Sequence, residues 1–140
     1  MTNKIVQIYT DGATVGHNGG IDKVKQISIG IWIPDIKRGF GKKMAGVSNN
    51  EAEFQAIIYG MRIAKMLEYD CVEFRMDSKI IYNRCIGRRP KKKKFQNPRM
   101  DAFQDKVMEL KKQFVLVDFT WIPRELNDMA DQISKKYAKD

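Results

Sequence analysis

Apolar and polar residues along the first third of the chain follow the two-residue period of β-strands. Residues 5–13 are rich in Ile, Val and Tyr and end at a glycine, which predicts a buried strand. Residues 24–34 alternate strictly, with isoleucine at every second position from 27 to 33. After turn-forming residues, the segment 40–47 can return as a third, antiparallel strand.

The pattern then changes to the three- and four-residue spacing of helices. Ser48 offers a capping side chain to a helix that extends to about Tyr69 with a broad apolar stripe. We expect this helix to be central and buried. A short strand over 71–77 and a helix through Ile86 follow, with Ser78 between them.

The C-terminal third predicts one more strand between two helices. Apolar residues from Met100 to Phe114 recur at intervals of three and four, as on a helix face that packs on a core. Residues 114–122 read as a strand that Pro123 stops. The last helix is expected over 126–137, and its inward-facing residues are predicted to be Met129, Ile133 and Tyr137.

Composition limits the chain to one domain and favours an anionic partner. A chain of 140 residues with 43% apolar content can bury one good core and is too short for two ordinary domains. Its formal charge of +9 favours nucleic acid. No uncharged run approaches the roughly 18 residues of a membrane span. We therefore expect no membrane association. Cys71 and Cys85 lack metal-type spacing, so we expect free thiols, which fit a cytoplasmic protein.

Most of the excess positive charge lies between residues 84 and 99. This segment contains no acid, and its flanking Gly87, Pro90 and Pro98 favour a protruding loop that binds phosphates. A solvated loop and a nuclear targeting signal are the alternatives. The cations of the segment are Arg84, Arg88, Arg89, Lys91, Lys92, Lys93, Lys94 and Arg99.

Two of the predicted strands end in an acid. Asp11 and Asp77 each follow a short apolar strand, and ligands usually bind at such an edge in open α/β sheets. An acid at the end of a buried strand is costly unless it is compensated, for example by a cation. Asp11 can alternatively cap its own turn, and Glu53 can simply pair with the dipole of its helix.

Four motifs together resemble those of the type 1 ribonuclease H family, in the same order and at similar intervals along nearly the whole chain. Asp131, unremarkable by itself, lies in the last of them. The motifs are Tyr9-Thr10-Asp11-Gly12-Ala13, Ser48-Asn49-Asn50-Glu51-Ala52-Glu53-Phe54, Met76-Asp77-Ser78 and Arg124-Glu125-Leu126-Asn127-Asp128-Met129-Ala130-Asp131.

The resemblance implies an α/β ribonuclease H-like fold, with a five-stranded mixed sheet of order 3-2-1-4-5 flanked by helices. It further implies an endonuclease that cuts the RNA strand of RNA/DNA hybrids and leaves 5′-phosphate and 3′-hydroxyl ends. Two Mg²⁺ ions, or Mn²⁺ in their place, are expected about 3.5 to 4 Å apart. Asp11 would bridge them, Glu53 and Asp77 would hold the ion on the leaving-group side, and Asp131 would complete the other.

Substrate contacts are also implied by the resemblance rather than by the spacing. They are assigned to Asn18, Asn49, Asn50, Lys79, Asn127, and the basic residues Arg88, Arg89, Lys91, Lys92, Lys93 and Lys94. The loop before the last helix is short and lacks the histidine that many bacterial members carry, a role that Arg124 is expected to fill in part. Lys79 replaces a common glutamine, and either His17 or Asn18 can take the family's asparagine position.

We expect a monomeric enzyme. The competing hypotheses are a ribonuclease H-like module that binds nucleic acid without cutting it and a related nuclease that processes DNA. The presence of all four acids favours cleavage, and the paired Asn49 and Asn50 favour a hybrid substrate over DNA.

Overall fold

The computed structural model describes residues 4–16 and 25–139, and it contains the mixed sheet that the resemblance implies. The strand order is β3-β2-β1-β4-β5, with β1 antiparallel to β2, β2 antiparallel to β3, and β4 parallel to both β1 and β5. This confirms the predicted fold class and topology. The strands are β1 (Val6–Thr14), β2 (Gln26–Ile33), β3 (Arg38–Ala45), β4 (Cys71–Met76) and β5 (Leu116–Trp121).

Helix α1 lies across one face of the sheet and is the centre of the core, as predicted. Its N-cap Ser48 accepts a hydrogen bond from Glu51 N, and the solvent-excluded side chains of Phe54, Ile57 and Met61 face the strands. The isoleucines at every second position of β2 point to the same core. The helices are α1 (Asn49–Met66), α2 (Lys79–Cys85), α3 (Pro98–Lys111) and α4 (Asp128–Ala138).

Helix α4 covers the opposite face of the sheet, and its most buried residues are small ones that the prediction did not include. Ala130 and Ser134 are fully buried against β2, and a Cβ at Gly30 would stand 2.2 Å from the Ala130 carbonyl oxygen. Ile133 and Tyr137 pack on β3 as predicted, where a Cβ at Gly41 would lie 2.1 Å from the Tyr137 ring, but Met129 is 41% exposed, so its predicted inward orientation is wrong. The close approach of helix to strand explains the difference, because large side chains do not fit where Gly30 meets the backbone of α4.

The ends of β1 and α1 approach each other at Gly12. A Cβ at Gly12 would lie 2.3 Å from the carbonyl carbon of Ala52, so only glycine allows the first turn of α1 to rest on β1. This contact brings Glu53, in that first turn, to the strand residue Asp11. The parallel pairing of β1 with β4 places the end of β4, followed by Asp77, beside it.

Cys71 and Cys85 are buried free thiols, as predicted. Burial raises the pKa of the Cys85 thiol far above its usual value, so it stays protonated at neutral pH. Within residues 4–16 and 25–139, no helix has the length and apolarity needed to cross a membrane.

Candidate active site

Three carboxylates from three separate elements meet at the edge of the sheet. Asp11 lies within β1, which continues to Thr14 and does not end at the acid as predicted, because Gly12 to Thr14 still pair with β2. Glu53 lies in the first turn of α1, and Asp77 follows directly after β4. Each contributes one carboxylate oxygen, and these oxygens all lie within 4.8 Å of one another. The fold thus assembles three of the four predicted acids into one cluster.

The clustering raises the pKa values of two of these acids. Burial, with the charges of Asp77 and Asp131, raises the pKa of Asp11 to about 7, although a hydrogen bond with Glu53 opposes this. Burial and the neighbouring charge of Asp11 raise the pKa of Glu53 to about 10. Without a cation, the cluster therefore retains protons at neutral pH.

The fourth acid, Asp131, contacts the cluster through Asp11 and is balanced by a cation of its own. Its carboxylate lies 3.0 Å from the ammonium of Lys135, one turn further along α4. Burial alone raises the pKa of Asp131, but hydrogen bonds with Lys135 and Asp11 and the charge of Arg124 outweigh it and lower the pKa. Asp131 therefore ionises more readily than Asp11 or Glu53.

Asn127 occupies a different place from the one expected of a substrate contact. Its side chain is fully buried, and its amide nitrogen donates to Thr10 O at 2.9 Å and to Asp77 Oδ2 at 2.8 Å. With no exposed surface, this side chain does not reach a substrate in this structure. Its contacts instead tie β1 to Asp77, and Asn127 Oδ1 is a buried acceptor with no partner among the described residues.

Two of the remaining predicted contacts, Asn49 and Asn50, line an open cleft of about 420 Å³ over the acids. Asn49 and Asn50 line it from the start of α1, where both are exposed, and Asn49 Oδ1 accepts a hydrogen bond from Thr14 N at 3.1 Å. Arg124 and Lys135 line its other side. The predicted residue Asn18, like His17, lies outside the described residues.

Lys79 lies beside the cleft on a tryptophan that the sequence analysis missed. Its ammonium is 5.2 Å from the centre of the Trp121 ring, and Trp121 Nε1 donates to Asp77 O at 3.1 Å. Trp121 thereby supports both the backbone of Asp77 and the side chain of Lys79. Lys135 was also missed, although its four-residue spacing from Asp131 was a visible signal.

The basic segment divides into cations that are paired within the fold and cations that are not. Arg84 is buried in α2 and pairs with Asp101, and Arg99 pairs with Glu51, so neither belongs to a free loop. Arg89 pairs with Asp105 and donates to Gln104, while Arg88 donates to Asn83. The exposed residues with no acidic partner among the described residues are Arg88, Lys91, Lys92, Lys93 and Lys94.

The donor set of the cluster suits a hard divalent cation. Carboxylate oxygens are the ligands that Mg²⁺ and Mn²⁺ prefer, and three of them lie close enough to share ions. Burial and the neighbouring carboxylates raise the pKa values of Asp11 and Glu53, and a cation held between these acids would offset both costs.

Comparison with known proteins places the chain in a family. A family model described as reverse transcriptase-like matches residues 35–137. A protein of Enterococcus faecalis named as a hydrolase, EbsB, is 30% identical over 139 residues, which cover 94% of this chain and 93% of that protein. The bifunctional protein Rv2228c of Mycobacterium tuberculosis is 26% identical over 134 residues, covering 92% of this chain but only 34% of its own length.

Solved structures share the fold over the full sheet. LC11-RNase H1, isolated from compost and crystallised in complex with an RNA/DNA hybrid, superimposes with a TM-score of 0.73 and 27% identity, covering 94% of each chain. The strand order, the acids at the sheet edge and these matches agree with one another. The chain therefore belongs to the reverse transcriptase-like family and is an enzyme of the type 1 ribonuclease H class.

Proposed function

We propose that this chain is a metal-dependent endonuclease that hydrolyses the RNA strand of RNA/DNA hybrids and leaves 5′-phosphate and 3′-hydroxyl ends. The convergence of Asp11, Glu53 and Asp77 carries the proposal. Carboxylates from three elements meet beneath an open cleft, and burial of like charges is costly unless the site serves a cation.

The acids would hold two Mg²⁺ ions, with Mn²⁺ as a possible substitute. Asp11 would be shared between the ions, Glu53 and Asp77 would complete one ligand set, and Asp131 would belong to the other. When bound, such ions activate water and neutralise the charge on the leaving oxygen. Asn127 orients Asp77 through its hydrogen bond, and Trp121 holds the backbone of the same residue.

The rim of the cleft would bind and orient the substrate. Asn49 and Asn50 offer amides to the RNA strand, whose 2′-hydroxyls both donate and accept hydrogen bonds. Asn18 and Lys79 would add further contacts to the substrate. Arg124, exposed and lining the cleft, is placed to stabilise phosphate charge in the loop that lacks a histidine.

The direct test is to incubate the protein with a labelled RNA/DNA hybrid and Mg²⁺, in parallel with RNA/RNA and DNA/DNA duplexes of the same sequence. We expect cleavage of the RNA strand of the hybrid alone, because the cleft must contact 2′-hydroxyls on one strand only. End analysis should show 5′-phosphates. Binding without cleavage in either Mg²⁺ or Mn²⁺ would instead identify a binding module, and cleavage of DNA/DNA would identify a DNA-processing nuclease.

Neutralising the four exposed lysines from Lys91 to Lys94 is expected to weaken hybrid binding and to flatten its salt dependence. Each phosphate contact contributes roughly −0.9 to the slope of log affinity against log salt on duplex DNA, so four lost contacts should be measurable. Titrations between low and moderate salt provide the slope. A variant with Lys106, Lys111, Lys112 and Lys136 neutralised is the control for net charge, and equal slopes in the two variants would leave residues 91–94 as a solvated loop.

The proposal includes a single catalytic domain that acts as a monomer in the cytoplasm. The buried free thiols Cys71 and Cys85 are compatible with a reducing compartment.

A further inference from the structure

Residues 46–51 form the turn after β3 and the first residues of α1, and hydrogen bonds fix this turn on both sides. On one side, Asn49 Oδ1 accepts a hydrogen bond from Thr14 N of β1. At its centre, the Ser48 hydroxyl accepts from Glu51 N at 3.1 Å. The turn presents Asn49 and Asn50 to the cleft, so whatever fixes its other side also fixes these two amides.

Glu51 fixes that other side with a buried carboxylate. The residue is 1% exposed, and its Oε2 accepts from Val47 N at 2.6 Å. Its Oε1 accepts from Arg99, with Nε at 3.1 Å and Nη2 closer still. Both carboxylate oxygens are therefore occupied, one by the turn and the other by helix α3.

Arg99 has a position that helix α3 itself does not favour. It lies in the first turn of α3, where the helix dipole disfavours a cation. Its guanidinium lies 5.6 Å from the centre of the Phe103 ring, and Phe103 packs against Phe54 of α1 at 6.1 Å between ring centres. Packing thus holds Arg99 over the start of α1, where Glu51 supplies the opposite charge.

We propose that the Glu51–Arg99 pair is a positioning device that sets the hybrid selectivity of the enzyme by holding Asn49 and Asn50 against the RNA strand. This inference rests on the proposed function. Without Arg99, the Glu51 carboxylate is a desolvated charge, and the turn must rearrange to hydrate it. The pair contacts none of the four acids of the site through any hydrogen bond among the described residues, so it acts on substrate binding rather than on metal binding.

The test compares Glu51→Gln, Arg99→Gln and the double variant in steady-state cleavage of the hybrid. We expect KM to rise about tenfold, as for the loss of one hydrogen bond from Asn49 or Asn50 to the RNA strand, with kcat within about twofold of wild type. Mg²⁺ affinity, measured by calorimetry without substrate, should not change. Each single substitution removes the same Glu51–Arg99 contact, so the KM of the double variant should be no higher than that of either single variant. Arg99→Lys should recover part of the lost affinity.

A second readout separates positioning from general loss of stability. Hybrids with 2′-deoxy nucleotides flanking the cut remove the hydroxyls that the turn is proposed to contact. The 2′-deoxy substitution should raise the KM of the wild type. It should raise the KM of Glu51→Gln much less, because this variant has already lost the contact of Asn49 and Asn50 with the 2′-hydroxyls. The matched control is Asp101→Asn, which removes the partner of Arg84 on the same helix. It should lower the melting temperature while leaving KM unchanged.

Three outcomes would overturn the inference. The first is a wild-type KM in both single variants, and the second is a loss of kcat and Mg²⁺ affinity as large as the rise in KM. The third is a 2′-deoxy substitution that raises KM equally in the wild type and in Glu51→Gln. Failure of the proposed function is distinguishable, because the wild type itself would then leave the hybrid uncut.

Discussion

Replacing Asp11 by Asn is expected to abolish hybrid cleavage, with a loss of about a thousandfold or more, equivalent to some 4 kcal/mol of transition-state stabilisation. Asp11 is the acid that the other members of the site share, since it interacts with Glu53, Asp77 and Asp131. Asn keeps the shape but offers a neutral oxygen, so the ligand set loses its central charge. Single-turnover cleavage in Mg²⁺ measures the effect.

The same substitution should stabilise the metal-free protein. Asp11 is 5% exposed among other acids, and the neutral amide removes their mutual repulsion. Thermal unfolding in a chelator should show a higher melting temperature than wild type at pH 8. Asp118→Asn makes the same chemical change at an exposed position of β5 and should alter neither property. An Asp11→Asn protein that cuts at the wild-type rate would refute the assignment of Asp11 as the shared ligand.

The stability of the metal-free protein is expected to fall as pH rises from 5 to 8. Burial raises the pKa of Asp11 to about 7 in the folded state from its ordinary value of 3.8, and the pKa of Glu53 to about 10 from 4.5. The folded state therefore holds more protons than the unfolded state over this range. For each extra proton that the folded state holds, stability falls by about 1.4 kcal/mol per pH unit.

The lowered pKa of Asp131 acts in the opposite sense but over a different range. Its contribution is present above the ordinary aspartate pKa of 3.8 and is lost only in stronger acid, so it does not cancel the fall between pH 5 and 8. Below pH 4, loss of the Asp131 pair should instead destabilise the protein. The two effects together predict maximal stability of the metal-free protein in mildly acidic solution.

Melting temperatures measured in a chelator should fall steadily from pH 5 to pH 8, by on the order of 20 °C, because the two extra protons over this range correspond to several kcal/mol. Saturating Mg²⁺ should flatten the profile, because a bound cation replaces the protons as the counter-charge of the acids. Asp11→Asn should make the profile less steep without metal, because burial still raises the pKa of Glu53. A profile that is flat or rises with pH in the metal-free wild type would contradict the charge state assigned to the cluster.

Local sequence signals predicted the elements closely where neighbours in sequence decide them. The cap at Ser48, the alternating isoleucines of β2 and the stop at Pro123 correspond to the start of α1, the core face of β2 and the end of the last strand. They failed for Met129 of α4, which was expected inside and is exposed. The most buried positions of this helix are the small residues Ala130 and Ser134, because its backbone lies against Gly30, while Ile133 and Tyr137 pack on the glycines of β3.

The four acids were visible in the sequence, but the residues that contact them were not. Asp11 and Asp77 were visible as strand-ending acids, and the motif set made Glu53 and Asp131 candidates. The sequence did not reveal that Asn127 is buried against Asp77, or that Lys135 pairs with Asp131. It also did not reveal that Trp121 supports Asp77 from β5. Each of these depends on elements brought together by the sheet.

By itself, the sequence determined the order of strands and helices and the buried helix at the centre, because periodicity and capping are local properties, and its resemblance to the ribonuclease H motifs made the four acids candidates. The tertiary structure alone decided which charges are free. Arg84, Arg89 and Arg99 belong to one basic run in sequence, yet each finds an acid on α1 or α3 and is neutralised. Charge balance and burial depend on packing between distant segments, which no local pattern records.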